Sequence, residues 1–221
     1  MNVTITDKQL EKLNIFKDLL LLWNEKFNLT AIKDEKEMFI KHFEDSIKGA
    51  FLFPENASVI EIGSGGGFPS IPLMIVRSDL TFTLVESVGK KCEFLKEVIK
   101  TLKLNATVIN ARAEDLGKNV NYREKFTVST ARAVAKLNTL CEYTMPLVKV
   151  GGLFIAYKGY ESGEEVLAKN AIKTLGGKLK TQHDYELSEN YGKRTIFVIE
   201  KIEKTPDKYP RGNGKERSKP L

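Results

Sequence analysis

The residues best suited to chemistry lie in the stretch Val59 to Pro72, VIEIGSGGGFPSIP, where an apolar strand runs into a glycine turn and then a helix. Gly63, Gly65, Gly66 and Gly67 lack Cβ atoms, so the backbone can take positive φ and bring its N–H groups against a ligand. The dinucleotide pattern GxGxxG fails from either start, because it needs glycine at Phe68 or Ser70. A phosphate loop fails as well, since no Lys-Ser/Thr pair follows the glycines. What fits is E-x-G-x-G-x-G from Glu61 to Gly67. A carboxylate at that position repels pyrophosphate and suits a cofactor with positive charge. The ammonium and sulfonium of S-adenosylmethionine match, with S-adenosylhomocysteine left after methyl transfer.

A second carboxylate follows at the expected distance. The run TFTLVES ends in Glu86, about 20 residues past the glycines, where its oxygens can accept both ribose hydroxyls. The competing role is a cap on the next helix, KKCEFLKEVIKTL. Further candidates fall just past strand ends: Arg112, Ala113 and Glu114, then Thr130 to Arg132, then Lys158. Glu114 suits an adenine amino group or a plain helix start. Arg132 suits a phosphate or a base oxygen, against a salt bridge to a nearby acid.

The acceptor is narrowed by missing motifs. No Asn/Asp-Pro-Pro-aromatic segment serves an exocyclic amine, and Cys92 and Cys141 lack the loop of a pyrimidine-attacking nucleophile. No grouped carboxylates suggest a metal, so none is expected. An aromatic ring nitrogen such as guanine N7 needs none of these, because its lone pair is already free.

These residues need a scaffold, and the patterning supplies one. Apolar stripes over Ile5, Leu10, Leu13, Ile15, Phe16, Leu19, Leu20 and Leu22, and over Met38, Phe39, Ile40, Phe43 and Ile47, predict a helical N-terminal extension. Strands are then expected at 58–62, 81–86, 106–110, 126–130 and 152–158, with helices at 69–77, 89–103, 136–149 and 164–175. Paired strands at 178–187 and 194–201 complete the pattern. Alternating elements of this kind predict an α/β fold, a mostly parallel sheet covered on both faces, with ligands at the carboxyl ends of the strands. The expected divisions are 1–50 for the extension, 51–204 for the catalytic domain and 205–221 for a basic tail.

At 221 residues and 42% hydrophobic content the chain can bury a full core. No run of about 18 apolar residues and no signal-like start is visible, which predicts a cytoplasmic protein without a membrane partner. The two cysteines read as buried apolar residues. From Lys201 to Leu221 seven basic residues face three acidic ones, a net +4, among three prolines and two glycines. Such a tail is expected to be an extended arm, either free in solvent or ordering on a polyanion. On that expectation removal of residues 205–221 weakens polyanion binding, flattens its salt dependence and leaves cofactor affinity nearly unchanged.

In order along the chain stand WNEKFNLTAI (23–32), HFEDSI (42–47), EIGSGGGFPSIP (61–72), LVES with KK and FL (84–95), RAE (112–114), TARAVA (130–135), YKG (157–159) and TPDKYPR (205–211). With these the chain resembles the bacterial glucose-inhibited division protein B family, RsmG. The resemblance implies a class I S-adenosylmethionine-dependent methyltransferase, Rossmann-like with a seven-stranded sheet. It would act as a monomer on guanine N7 in the 530 loop of 16S ribosomal RNA, free or in the small subunit. It further implies Gly63 and Phe68 near the methionine and adenosine, Glu86 at the ribose, and Ala113 with Glu114 at the adenine. Arg132 would stand between cofactor and target as the catalytic residue, with Lys158, Arg194, Lys208 and Arg211 on RNA phosphates. Glu61 stands where many members have Asp, which keeps the charge. His42 and Asp45, in the family's HxxDS pattern, either face the site or join two helices; the second is preferred, because N7 has no proton to remove. Trp23 reads as core before base platform, and Asn28 with Thr30 as a turn. The competing functions are an inactive RNA-binding protein of this fold and a methyltransferase for another RNA or a small molecule. Glu61, Glu86 and the intact loop count against the first, and the charged tail counts against a small molecule.

Overall fold

Apolar strands alternating with one-sided helices place a sheet between two helical layers, and the computed structural model of the protein, which describes residues 4–221, has that arrangement. The first three residues of the expected extension lie outside the described residues. Seven strands, β1 (Ser58–Ile62), β2 (Thr81–Glu86), β3 (Ala106–Asn110), β4 (Phe126–Arg132), β5 (Val148–Gly159), β6 (Gly177–Glu186) and β7 (Lys193–Lys201), form one sheet in the order β3-β2-β1-β4-β5-β7-β6. β1 to β5 pair in parallel, whereas β7 runs antiparallel to both β5 and β6. The order reverses between β1 and β4, which are direct neighbours with Glu61 opposite Thr130. Such a switch point leaves a crevice at the carboxyl ends of the strands.

Strand alternation sends Val59 and Glu61 to one face of β1 and Ile60 and Ile62 to the other. The first face packs on α1 (Asp7–Asn24), α4 (Ser70–Val76) and α5 (Gly89–Leu102) through Phe16, Phe43, Phe68, Phe82 and Phe94, all buried. The opposite face packs on α6 (Ala113–Lys118) through Ala113 and Leu116 and on α7 (Leu137–Thr144) through Tyr143. α7 also joins α8 (Glu164–Thr174) in a further cluster over β5 and β7.

α1 starts at a capping box, Thr6 with Gln9. Its buried stripe is narrower than expected: Leu13, Phe16 and Leu20 are buried at spacings of three and four, while Ile5, Leu10, Ile15 and Leu22 are exposed. The helix 35–48 is α-helical at Glu35–Met38 (α2) and Asp45–Lys48 (α3) and winds as a π-turn over Phe39–Glu44 between them. Such turns recur at functional sites.

Two expectations on helix limits need correction. α7 stops at Thr144, followed by a 3₁₀ turn at Met145–Leu147, because Pro146 has no N–H to continue the ladder. β5 therefore begins at Val148. Of α6 only a start at Glu114 was weighed, in a polar stretch; its Gly117 is required because a Cβ there would stand 2.9 Å from Pro210.

The C-terminal segment is not an arm. Thr205, Tyr209 and Glu216 are buried, and the Arg123 guanidinium donates to the carbonyls of Gly117, Tyr209 and Thr205 at 2.7–2.8 Å. Arg211 forms a bidentate pair with Glu142, whose side chain is 1% exposed, at 2.7 and 2.9 Å. Composition marked the segment as loose because it counts charges without seeing that two of them close inward.

Candidate active site

Two cavities open at the carboxyl ends of the strands, on either side of the segment that follows β4. The first, about 250 Å³, is lined by Ile62 and Gly63 from the end of β1, Val85 and Ser87 around the end of β2, and Ala111 to Glu114 after β3. Val134, Tyr143, Gly214 and Arg217 complete it. The second, about 450 Å³, is lined by Ile32 from the loop after α1, Lys41, His42 and Asp45 from the helix 35–48, Arg132 and Ala133, Tyr157 to Gly159, and Arg194. Ala133, at φ +57°, turns the chain so that Arg132 faces one cavity and Val134 the other.

The glycine loop leans over β2. Gly63 and Ser64 donate their N–H groups to the Val85 carbonyl at 2.9 and 3.1 Å. Gly63 has φ +71° and a Cβ there would lie 2.6 Å from Val134 Cγ2, so neither the backbone nor the space allows another residue. Gly65 N–H donates to Glu86 Oε2 at 3.0 Å, and Val88 N–H to Glu86 Oε1 at 2.9 Å. One buried carboxylate thus ties the loop to the start of α5. Glu86 braces the residue before α5 instead of capping its first turn, and with Ser87 Oγ also 3.5 Å from Oε1, Oε2 is the oxygen that keeps one lone pair open.

Glu61 is fully buried, with no hydrogen-bond partner for either oxygen, and it lies under the loop rather than on the wall of the first cavity. Ser64 Oγ and Ser70 Oγ, at the start of α4, are also unpartnered. Burial pushes the Glu61 carboxyl up to about 7; the two serines moderate this without reaching hydrogen-bond geometry. A polar cluster of this kind, desolvated and unpaired, is costly unless a ligand uses it.

Phe68 is 7% exposed and packs away from the first cavity. The His42 ring stacks on it at 4.4 Å between centroids, and the Arg132 guanidinium sits over it at 4.9 Å. Arg132 ends β4 and donates to Asp45 Oδ2 at 2.8 Å and to His42 Nδ1 at 3.1 Å. Asp45 is 4% exposed and its other oxygen accepts from Tyr185 Oη at 2.7 Å, with Arg194 Nε 3.8 Å away. Arginine can only donate, so His42 Nδ1 is the acceptor and Nε2 carries the proton, which it gives to Thr30 Oγ1 at 2.8 Å. Burial, and then the Arg132 charge, lower the His42 pKa to about 3, so the ring is neutral and holds Arg132 in place. The helix-to-helix bond preferred for His42 and Asp45 is thus replaced by a helix-to-strand one that ends on Arg132. The turn before it is shaped by Asn24, which accepts from Leu29 and Thr30, while Asn28 is exposed.

Ala113 and Glu114 line the first cavity at the start of α6, where Glu114 also complements the helix N-terminus. The phosphate candidates divide. Arg194 lines the second cavity and Lys208 is exposed over the Tyr209 ring. Lys158 also lines the second cavity, but there its ammonium is held by Glu164 Oε1 and the Ala135 carbonyl, both at 2.8 Å. Arg211 is corrected by its pair with Glu142. Val134, Tyr143, Gly214 and Arg217 escaped sequence reasoning. Only Glu142, an acid amid the buried residues of α7, hinted that the basic segment has an internal partner.

A seven-stranded sheet of this order, its cavity at the switch point roofed by a glycine turn, places the protein among the Rossmann-like S-adenosylmethionine-dependent methyltransferases. M. jannaschii TYW2 in complex with AdoMet is similar in fold, with a TM-score of 0.56 and 21% identity over 78% of this chain and 80% of that one. So is a SAM-dependent O-methyltransferase from Thermotoga maritima, with a TM-score of 0.55 and 13% identity over 85% and 73%. Within that class the chain belongs to the GidB family, rRNA small subunit methyltransferase G, whose profile matches residues 9–199. Relatives named ribosomal RNA small subunit methyltransferase G include those of Brevibacillus brevis, 48% identical over 99% of this chain and 94% of the relative, and Acetivibrio thermocellus, 44% identical over 99% and 91%.

Proposed function

We propose that the protein methylates N7 of a guanine in the 530 loop of 16S ribosomal RNA, using S-adenosylmethionine. The observation that carries the reading is the pair of cavities divided by Arg132–Val134, one suited to a nucleoside cofactor and the other to an acceptor base. The orphaned Glu61 carboxylate beneath the loop and the space kept by Gly63 fit a ligand with a buried positive end.

In this reading Gly63, Gly65, Ala113 and Glu114 hold the cofactor together with Glu86, and Glu61 answers its positive charge. When bound, the cofactor supplies an electrophilic methyl group on a sulfonium. The remaining work is positioning, since N7 offers an in-plane lone pair and loses no proton. His42 fits that requirement: its Nε2 proton is engaged by Thr30, and its Nδ1 by Arg132, so it orients and does not act as a base. Arg132, braced by Asp45 and stacked on Phe68, presents donors suited to guanine O6 or an adjacent phosphate. Arg194 and Lys208 hold RNA phosphates. The proposed setting is the cytoplasm, with the protein acting as a monomer; no helix among the described residues is long and apolar enough to cross a membrane.

Purified protein should transfer labelled methyl groups from S-adenosylmethionine to small ribosomal subunits that lack the modification. Arg132→Ala and Glu86→Ala should be strongly impaired. Cofactor binding without any transfer to RNA would refute the enzyme reading.

A further inference from the structure

The C-terminal segment ends at the first cavity. Gly214 and Arg217 line it opposite Ile62, Gly63, Ala113 and Glu114, and Arg217 Nη2 reaches the Val134 carbonyl at 3.4 Å, beside the Tyr143 hydroxyl. Their placement is not casual. Arg211 is locked to Glu142 on α7, and its backbone N–H also donates to Glu142 Oε1 at 2.9 Å. Glu216 is fully buried, takes the Gly212 N–H on its carboxylate, and through its carbonyl accepts from Thr139 Oγ1 at 3.0 Å. Two attachments to α7, at Arg211 and Glu216, with the Gly212–Glu216 bond closing the turn between them, therefore fix the chain immediately before Arg217, while Arg217 itself stays exposed to solvent.

We propose that the C-terminal segment is part of the cofactor site, with Arg217 forming its outer wall over the adenine ring and the Arg211–Glu142 pair holding that wall in position. The inference rests on the first cavity being the adenosyl site. A guanidinium is planar and weakly hydrated, so it stacks on an aromatic face without a large desolvation cost. Tyr143, also in the lining, has both Arg217 and Glu114 acting on its hydroxyl, so Arg217 shares with Tyr143 and Glu114 the part of the cavity where the base is expected. The segment's basic character thus serves more than one end: Arg211 pairs with a buried acid, Arg217 is exposed at the rim of the first cavity, and Lys208, Lys215 and Lys219 are exposed on the surface.

Isothermal titration of S-adenosylhomocysteine and of adenosine against wild type, Glu86→Ala, Arg217→Ala and Arg217→Lys tests the proposal. Arg217→Ala should weaken both ligands by the same factor, about tenfold, since both carry the base. Arg217→Lys should recover part of that loss. The free Arg217→Ala protein should melt at the wild-type temperature. Unchanged affinities in Arg217→Ala, with wild type binding and Glu86→Ala impaired, would overturn the role of Arg217 and leave the cofactor site standing. A lower melting temperature in step with the lost affinity would also overturn it, in favour of a structural role. Failure of wild type to bind either ligand would instead refute the cofactor reading.

Discussion

Replacing Glu61 by Gln should make the free protein more stable at alkaline pH and worse at holding its cofactor. The carboxyl is fully buried without a partner, and burial raises it from 4.5 to about 7. Between those values the folded chain keeps a proton that the unfolded chain has released. Stability therefore falls as pH rises through this window and levels off above it. At about 1.4 kcal/mol per pH unit, the charged carboxylate costs about 3 kcal/mol at pH 8. Gln carries no charge, so the variant escapes this cost. For a chain of this size about 3 kcal/mol corresponds to roughly 6–12 °C in melting temperature. The assay is thermal unfolding of both proteins, free of ligand, at pH 5 and pH 8. The gap between them should open by that amount from pH 5 to pH 8, while S-adenosylmethionine binds the variant about thirtyfold more weakly, the worth of an opposite charge held beneath the site, about 2 kcal/mol at roughly 8 Å and an effective dielectric of about 20. A gap independent of pH, or a variant that binds the cofactor normally, would refute the account of Glu61.

Arg211→Ala strands the Glu142 carboxylate in the core and should lower stability by about 3 kcal/mol in urea unfolding, while the salt slope of RNA binding by the folded variant stays unchanged; a stable variant with a slope reduced by about one would restore Arg211 to the RNA surface. Gly63→Ala should abolish measurable cofactor binding, because its Cβ meets Val134 Cγ2, and Val134→Ala in the same chain should recover part of it in titration. The His42 pKa is lowered to about 3, so the folded protein loses stability as pH falls from 6.5 through that value. His42→Asn should flatten this acid limb in urea midpoints measured from pH 7 to pH 4; an unchanged limb would contradict the buried, neutral ring.

The sheet was legible because parallel strands buried on both faces are short continuous apolar runs, and those of β1 and β2 are bounded by glycine, proline or acidic turns. The candidate residues nearest the strands, Gly63, Glu86, Ala113 and Arg132, were nominated for the same reason: ligands collect at carboxyl ends, and the end of a strand can be read. What escaped were partners distant in sequence. Glu86 spends a lone pair on Gly65, Lys158 on Glu164 neutralises a cation, and Arg211 on Glu142 turns a basic segment inward. A charge count along the chain cannot separate a solvated cation from one that faces a buried acid, because the acid lies 69 residues away in the Arg211 case. His42 was underrated for a similar cause. Its importance comes from Arg132, which joins it only when the π-turn and the end of β4 meet.

This two-cavity site is proposed to deliver a methyl group to one ring nitrogen of one guanine. Mass-spectrometric mapping of 16S ribosomal RNA, taken from small subunits treated with the protein and S-adenosylmethionine, tests it most directly. A single 7-methylguanosine is expected in the 530 loop, absent when Arg132→Ala replaces wild type. A methyl group on an exocyclic amine or a ribose, or one spread over many nucleotides, would contradict it.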